Sequence, residues 1–357
     1  MSAAPPDPHA LRAAADILRA YPYSCWHYGD STGFEGLLAA SEVLGDPGYA
    51  AFAHGAVVGW AAAERPLREL DNTAPGYAIC RLYRQTGDER LLDAGRRLAA
   101  YLVTRRRYRG AFLAFERAPL KEPYDGSALT PEEVDLLADP GAGVFVDPLH
   151  FDPPFLVALG SIVGDPALVE EGVAQALALC DVLQDDGSGL FAHFALERTG
   201  ERYGLAWSRG QGWALLGLVE VLEELPVDHP GRDRLLHALG ALVAGLERTQ
   251  DPSGHWRALC QDPSTYLESS VALFVAAGVP RAIDAGLLDE GLRGMARRAW
   301  EAGTAALAPD GTLAGVSAAV WCSTALGHYG GVPVGFQVPW GQGPLLLAAE
   351  QWGLRAV

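Results

Sequence analysis

The chain has 357 residues, with 44 Asp and Glu against 27 Lys and Arg and a formal charge of −17, which excludes a nucleic-acid partner because phosphate binding needs a basic surface. Apolar residues make up 49% and charged residues 20%, the balance of a compact globular protein without a long disordered tract. No apolar run reaches membrane-span length and residues 1–12 lack a basic start or apolar stretch, so neither secretion nor membrane insertion is expected and the location read from the sequence is cytoplasmic. Five scattered cysteines, Cys25, Cys80, Cys180, Cys260 and Cys322, with no C-x-x-C spacing, suit that reducing compartment.

In chain order, residues 1–12 read as a flexible tail. Beyond them, helical patterns follow one another with almost no alternating Val, Ile and Thr runs, which predicts an all-α architecture. Gly45-Asp46-Pro47, Gly87-Asp88-Glu89 and Gly164-Asp165-Pro166 each read as the end of one helix and the start of the next. Gly permits the left-handed C-terminal residue, Asp caps the following helix, and Pro is tolerated in the first turn. Leu215, Leu218, Leu222 and Leu225, then Leu235, Leu239, Leu242 and Leu246, mark two amphipathic helices by steps of three and four.

A second signature follows helix ends at Gln184-Asp185-Asp186-Gly187, Gln250-Asp251-Pro252-Ser253-Gly254 and Pro309-Asp310-Gly311. Its spacing of roughly 60 residues is about two helices with their connections, so the chain holds about six helical hairpins. Units of such uneven length fit a closed (α/α)6 toroid of twelve helices better than a solenoid of uniform repeats. The whole of 1–357 is therefore expected to be a single toroidal domain. Oligomeric state is not legible.

Three segments stand in register: Phe145-Val146-Asp147-Pro148-Leu149-His150, Gly189-Leu190 through His193, and Trp207-Ser208-Arg209-Gly210-Gln211-Gly212-Trp213. With Trp26-His27-Tyr28-Gly29-Asp30, Leu70-Asp71-Asn72 and the Gly- and Trp-rich end, the chain resembles over nearly its whole length the unsaturated glucuronyl and rhamnogalacturonyl hydrolases (glycoside hydrolase families 88 and 105), the rhamnogalacturonyl branch more closely. Phe145 stands where that family has Trp and Gln211 where it has Asn. Gly110 to Ala114 lacks the family's His, and 121–140 reads as an enlarged loop. These departures bear on the substrate more than on the reaction type.

The resemblance implies a six-hairpin fold and a small oligosaccharide whose terminal uronyl sugar carries a C4=C5 double bond. It implies hydration of that bond by one carboxyl group acting as acid and then base, with no cofactor. By the resemblance Asp147 is the catalytic group and Asp71 the second carboxylate, and two facing carboxylates raise the pKa of one. His193 is expected on the same rim, Arg209 as a fork for the uronate, Trp207 and Trp213 as stacking surfaces, and His150 and Trp26 among the substrate contacts. Plainer readings stay open beside these: Asp147 and Asp71 as helix caps, Arg209 in an ion pair, Trp213 in the core. His27 with Asp30, or His150 with Asp152, lacks further ligands at a recognisable spacing, so no metal is expected. An inverting glycosidase of saturated sugars, a sugar epimerase and a non-catalytic sugar-binding protein are the alternatives on the same toroid.

Overall fold

The computed structural model describes residues 6–25, 27–65, 67 and 75–353. Asp71 and Trp26 lie outside the described residues. Among the described residues the helices are α1 (Pro8–Arg19), α2 (Tyr28–Leu44), α3 (Pro47–Ala62), α4 (Gly76–Thr86), α5 (Glu89–Leu102), α6 (Pro131–Ala138) and α7 (Pro148–Val163). They continue as α8 (Pro166–Leu183), α9 (Ser208–Glu224), α10 (Arg232–Thr249), α11 (Ser270–Asp284), α12 (Arg293–Ala305), α13 (Gly327–Gly330) and α14 (Pro339–Gln351). Helices α2, α4, α7, α9, α11 and α14 each pack on the next, and α14 returns to α2, closing an inner ring. The outer helices α3, α5, α8, α10 and α12 lie against the inner helices that precede them, while α1 packs on α2 and α14 to complete the sixth hairpin from the two ends of the chain.

The Gly-Asp turns perform the inner-to-outer reversal. Gly45, Gly87 and Gly164 end α2, α4 and α7 in the left-handed conformation, and Asp46, Asp88 and Asp165 accept the backbone N–H of Gly48, Arg90 and Ala167 at 2.9–3.1 Å. Asp7 caps α1 in the same way, accepting His9 N–H at 2.9 Å. That cap, with Leu11, Ala14, Ala15 and Leu18 buried against the ring, makes residues 8–12 the first turns of a packed helix rather than the flexible tail expected from sequence.

The outer-to-inner returns carry the second signature. Asp185, Asp251 and Asp310 accept N–H bonds from Ser188, Ser253 and Thr312 two or three residues on, local turns that these side chains form by themselves. The ring closes tightly where α2 meets α14, because a Cβ on Gly36 would stand 2.6 Å from the Gly343 backbone. The expected enlarged loop is in part helical: α6 interrupts it, started by Thr130 and Glu133 in a reciprocal capping box.

Strands are two or three residues long. The sheet that matters for the site joins β3 (Gly143–Phe145), β4 (Phe194–Leu196) and β5 (Arg202–Tyr203) in that order, antiparallel, with Phe145 opposite Phe194 and Phe194 opposite Tyr203.

Candidate active site

The register of β3 with β4 brings two distant residues together. Asp147 follows β3 by two positions and His193 precedes β4 by one. The ladder continues past the strands, with Val146 N–H donating to the His193 carbonyl at 2.9 Å. Their side chains meet with His193 Nε2 3.9 Å from Asp147 Oδ2. Asp147 occupies the residue before α7 but is already helical (φ −55°, ψ −44°) and its carboxylate makes no capping bond. The cap reading therefore does not describe this side chain.

Both residues line a cleft of about 270 Å³ together with Ser24, His27, Tyr28, Phe115, Pro119, Phe145, Trp207, Arg209 and the segment Ala319 to Cys322. The cleft lies at the N-terminal ends of α2, α7 and α9, where unpaired backbone N–H groups and the helix dipoles favour negative charge. An anionic group can thus be held inside an acidic protein. Among the described lining residues Asp147 is the single carboxylate.

Burial holds His193 well below its usual pKa, with His328 and Arg209 adding to the effect. Tyr329 Oη lies 2.8 Å from His193 Nδ1, and burial, then the neighbouring Cys322 and Asp147, pushes the phenol far above its ordinary range. Nε2 faces the Asp147 carboxylate, which favours the tautomer with its hydrogen there, and in that tautomer Nδ1 accepts from the Tyr329 O–H. Gly204, at φ +64°, leaves the room Tyr329 occupies; a side chain there would collide with the phenol oxygen. Replacement of Tyr329 by Phe is expected to release this tautomer, lowering kcat about tenfold with little change in KM. The check is a pH–rate profile, whose acid limb moves if His193 is no longer held by the phenol. A merely structural Tyr329 would leave that limb in place.

Trp207 lies over His193 with ring centroids 4.2 Å apart, and its own turn is anchored by Gln211. That amide accepts Phe191 N–H at 2.7 Å and donates to the Phe191 and Trp207 carbonyls at 2.9 and 2.8 Å. Arg209 also lines the cleft, yet its terminal nitrogens face inward to Ser317, to the Ala318 carbonyl at 3.0 Å and to Glu268 at 3.5 Å. Its guanidinium is layered between Trp207 and Trp340 at 5.0 and 5.3 Å. Arg209 thus lines the cleft as a buried brace for Trp207 and the 317–318 segment, with its fork bonded inward.

Two expectations are corrected. Trp213 is fully buried against Phe274, Phe151 and His150, in the core and not on the cleft wall, because α9 turns it toward the ring axis. His150 is buried at that axis, with Nε2 3.3 Å from Glu35 and Nδ1 3.2 Å from Glu220. Glu35, His150 and Glu220 are the one group of three metal-type side chains close together among the described residues. Each carboxylate faces a different ring nitrogen, which is the arrangement of an imidazolium between two anions, not of three donors converging on a cation. His27 does line the cleft, and its Nδ1 accepts the Gly29 N–H at 3.3 Å as the cap of α2, while Asp30 is turned inward to Ser24. Tyr28, Phe115, Trp321 and Tyr329 were not singled out by sequence; Tyr329 has no local pattern that could reveal it, since its partner is 136 residues away.

Neutral buried histidines give a pH signature. His27, His193, His255 and His328 are all held below their ordinary pKa by burial. The unfolded chain takes up protons below about pH 6.5 that the folded chain refuses, so stability is present above that pH and is lost as pH falls through it. Over the same window His150, held charged by its carboxylate neighbours with a pKa of about 10, and Asp30, raised to about 6 by burial, contribute with the opposite sign, so the four histidines set one contribution to the pH dependence and not its total.

Residues 13–352 match the family model described as Glycosyl Hydrolase Family 88. The chain is 27% identical over 175 residues to an unsaturated 3S-rhamnoglycuronyl hydrolase of Alteromonas sp. (strain LOR), covering 47% of this chain and 42% of that one. It is 25% identical over 216 residues to the unsaturated rhamnogalacturonyl hydrolase YesR of Bacillus subtilis (strain 168), covering 60% and 58%. The matched stretches thus span about half the length of these curated relatives. Among solved structures, a family 105 glycoside hydrolase of C. acetobutylicum ATCC 824 superposes with a TM-score of 0.78 at 19% identity, covering 98% of this chain and 99% of that one. The unsaturated glucuronyl hydrolase of Bacillus sp. GL1 gives 0.71 at 19% identity, covering 96% and 94%. Both likenesses establish the (α/α)6 fold.

Proposed function

Since the chain belongs to Glycosyl Hydrolase Family 88, we propose that it removes an unsaturated uronyl sugar from the non-reducing end of a small oligosaccharide by adding water across the C4=C5 bond, with Asp147 as acid and base. Protonation of C4 gives C5 oxocarbenium character. Water adds its oxygen to C5 and returns a proton to the carboxylate, and the hemiketal opens to a keto acid as the neighbouring sugar leaves. Only one carboxyl group is required for this, in contrast to the pair that flanks the bond in an ordinary inverting glycosidase. The observation that carries the reading is the pairing of Asp147 with a neutral His193 across the cleft.

Within that reading, His193 Nε2–H serves a sugar oxygen lying against Asp147, Trp207 offers its ring to a pyranose face, and the helix N-termini attract the uronate. In this reading Arg209 is a positioning residue, and Trp213 and His150, buried away from the cleft, are not among the sugar contacts. Asp71 and Trp26 keep the roles the resemblance implies.

The test is the absorbance of the conjugated double bond during incubation with lyase-generated unsaturated disaccharides from pectin and from glycosaminoglycans. Loss of the band with the native protein is expected. Turnover of saturated glycosides, with the band intact on every unsaturated substrate, would transfer the assignment to an inverting glycosidase.

A further inference from the structure

Beside the cleft lies a shallower hollow of about 550 Å³ lined by Leu120, Lys121, Glu122, Tyr124, Leu137 and Trp321. Trp321 lines both, so its ring is the wall between them. The ring is 51% exposed, an unusual position for an aromatic side chain that could be buried. Its backbone is left-handed, at φ +55°, which costs a bulky residue about 1–2 kcal/mol.

The segment that carries Trp321 is bonded to residues 120–124. Lys121 N–H donates to the Cys322 carbonyl at 2.8 Å, and Leu120 bridges to Cys322 in parallel. Tyr124 N–H donates to His328 Nδ1 at 3.3 Å. Two stretches of chain some 200 residues apart are thereby locked together with the indole turned outward.

Over that indole, 5.1 Å from its centre, stands the Lys121 ammonium, and Lys121 is the single lysine of the chain. Some surface arginines are paired, as Arg293 is with Asp284 and Glu290 at 2.7 and 2.6 Å, and others, such as Arg117 and Arg248, are turned onto backbone carbonyls. Lys121 is exposed and makes no ion pair among the described residues. On a surface of net charge −17, an unneutralised cation beside an exposed aromatic wall is a local attractor for a sugar that carries negative charge.

We propose that Lys121 and Trp321 form the subsite for the leaving sugar and select one bearing an anionic substituent, a sulfate or a carboxylate. This rests on the hydration reading of the adjoining cleft, since it takes the terminal uronyl sugar to occupy that cleft. Trp321 supplies the flat apolar face and Lys121 the point charge.

The test uses the full chain and three sets of unsaturated disaccharides, whose leaving sugars are neutral, sulfated or carboxylated. Lys121→Met is expected to raise KM for the charged sets about threefold to fivefold more than for the neutral set, the scale of one exposed charge contact. A second arm needs no turnover. In the Asp147→Asn protein, acylation of Lys121 by an N-hydroxysuccinimide ester, located by peptide mass mapping, is expected to be slowed by the charged disaccharides and not by the neutral ones. Whichever charged set protects identifies the anion. Turnover by the native protein with equal KM changes on all three sets and no protection overturns the subsite and leaves the reaction standing. Protection without turnover of any disaccharide leaves the subsite standing and removes the reaction. Neither turnover nor protection removes both.

Discussion

Replacement of Asp147 by Asn is expected to leave the protein folded and to lower kcat on its unsaturated substrate by about 10²–10⁴-fold, the span associated with loss of a positioned acid or base. The substitution keeps shape and volume and removes only the ability to give and take a proton. It forfeits no helix cap, because the carboxylate makes no capping bond to α7. The measurement is initial rate from the double-bond absorbance, beside far-UV circular dichroism to establish that the fold is intact. A folded Asn variant with more than a tenth of native kcat would remove Asp147 from the chemistry.

His150 to Leu is expected to lower the unfolding free energy by about 3–5 kcal/mol, the cost of stripping one partner from a buried charge group. Glu35 and Glu220 stand on either side of His150 at 3.3 and 3.2 Å, all three fully buried. Arg281 reaches Glu220 at 3.1 Å from the next inner helix. Burial by itself would lower the His150 pKa, but the two carboxylates overrule it and hold the ring at about 10. Without the imidazolium, two carboxylates face each other in the core.

The sign with pH follows from the raised value. The His150 contribution is fully present below about pH 6.5, where the unfolded imidazole is also charged, and is lost as pH rises toward 10. Chemical denaturation of native and Leu proteins at pH 7 and pH 9.5 reads both effects, with the gap between them narrowing at the higher pH. A gap under 1 kcal/mol at pH 7 would mean that the ring axis tolerates the unpaired carboxylates. Exchanging all three side chains for apolar ones of similar volume is expected to recover most of the loss, since a buried ion group adds little net stability over good packing.

Local signals and long-range ones separate cleanly in this chain. Helix periodicity, the Gly-Asp reversals and the Asp turns act within a few residues, and each is a statement about one backbone stretch satisfying its own hydrogen bonds. They sufficed for the all-α class, and their repetition sufficed for six hairpins. The ordered segments around Asp147, His193 and Trp207 were legible because three short patterns in register leave few other readings. Asp7 belongs to the same local vocabulary, capping α1 through His9 N–H.

What the tertiary structure decided is the direction in which each side chain points and what lies against it. Trp213 and Arg209 sit on the same short helix start as Trp207, yet packing of α9 between α7 and α11 sends one into the core and clamps another to Ser317, Ala318 and Glu268. His150, three residues from Asp147, falls on the ring axis rather than the cleft because α7 has by then turned nearly once. Tyr329 and Trp321 became visible only when closure of the ring brought the C-terminal segment over the N-terminal ends of the inner helices. Sequence spacing carries the helix and its caps; the surroundings that set the His193 and His150 protonation states come from other elements, Trp207 and Tyr329 around one and Glu35 and Glu220 around the other, and no local pattern encodes them.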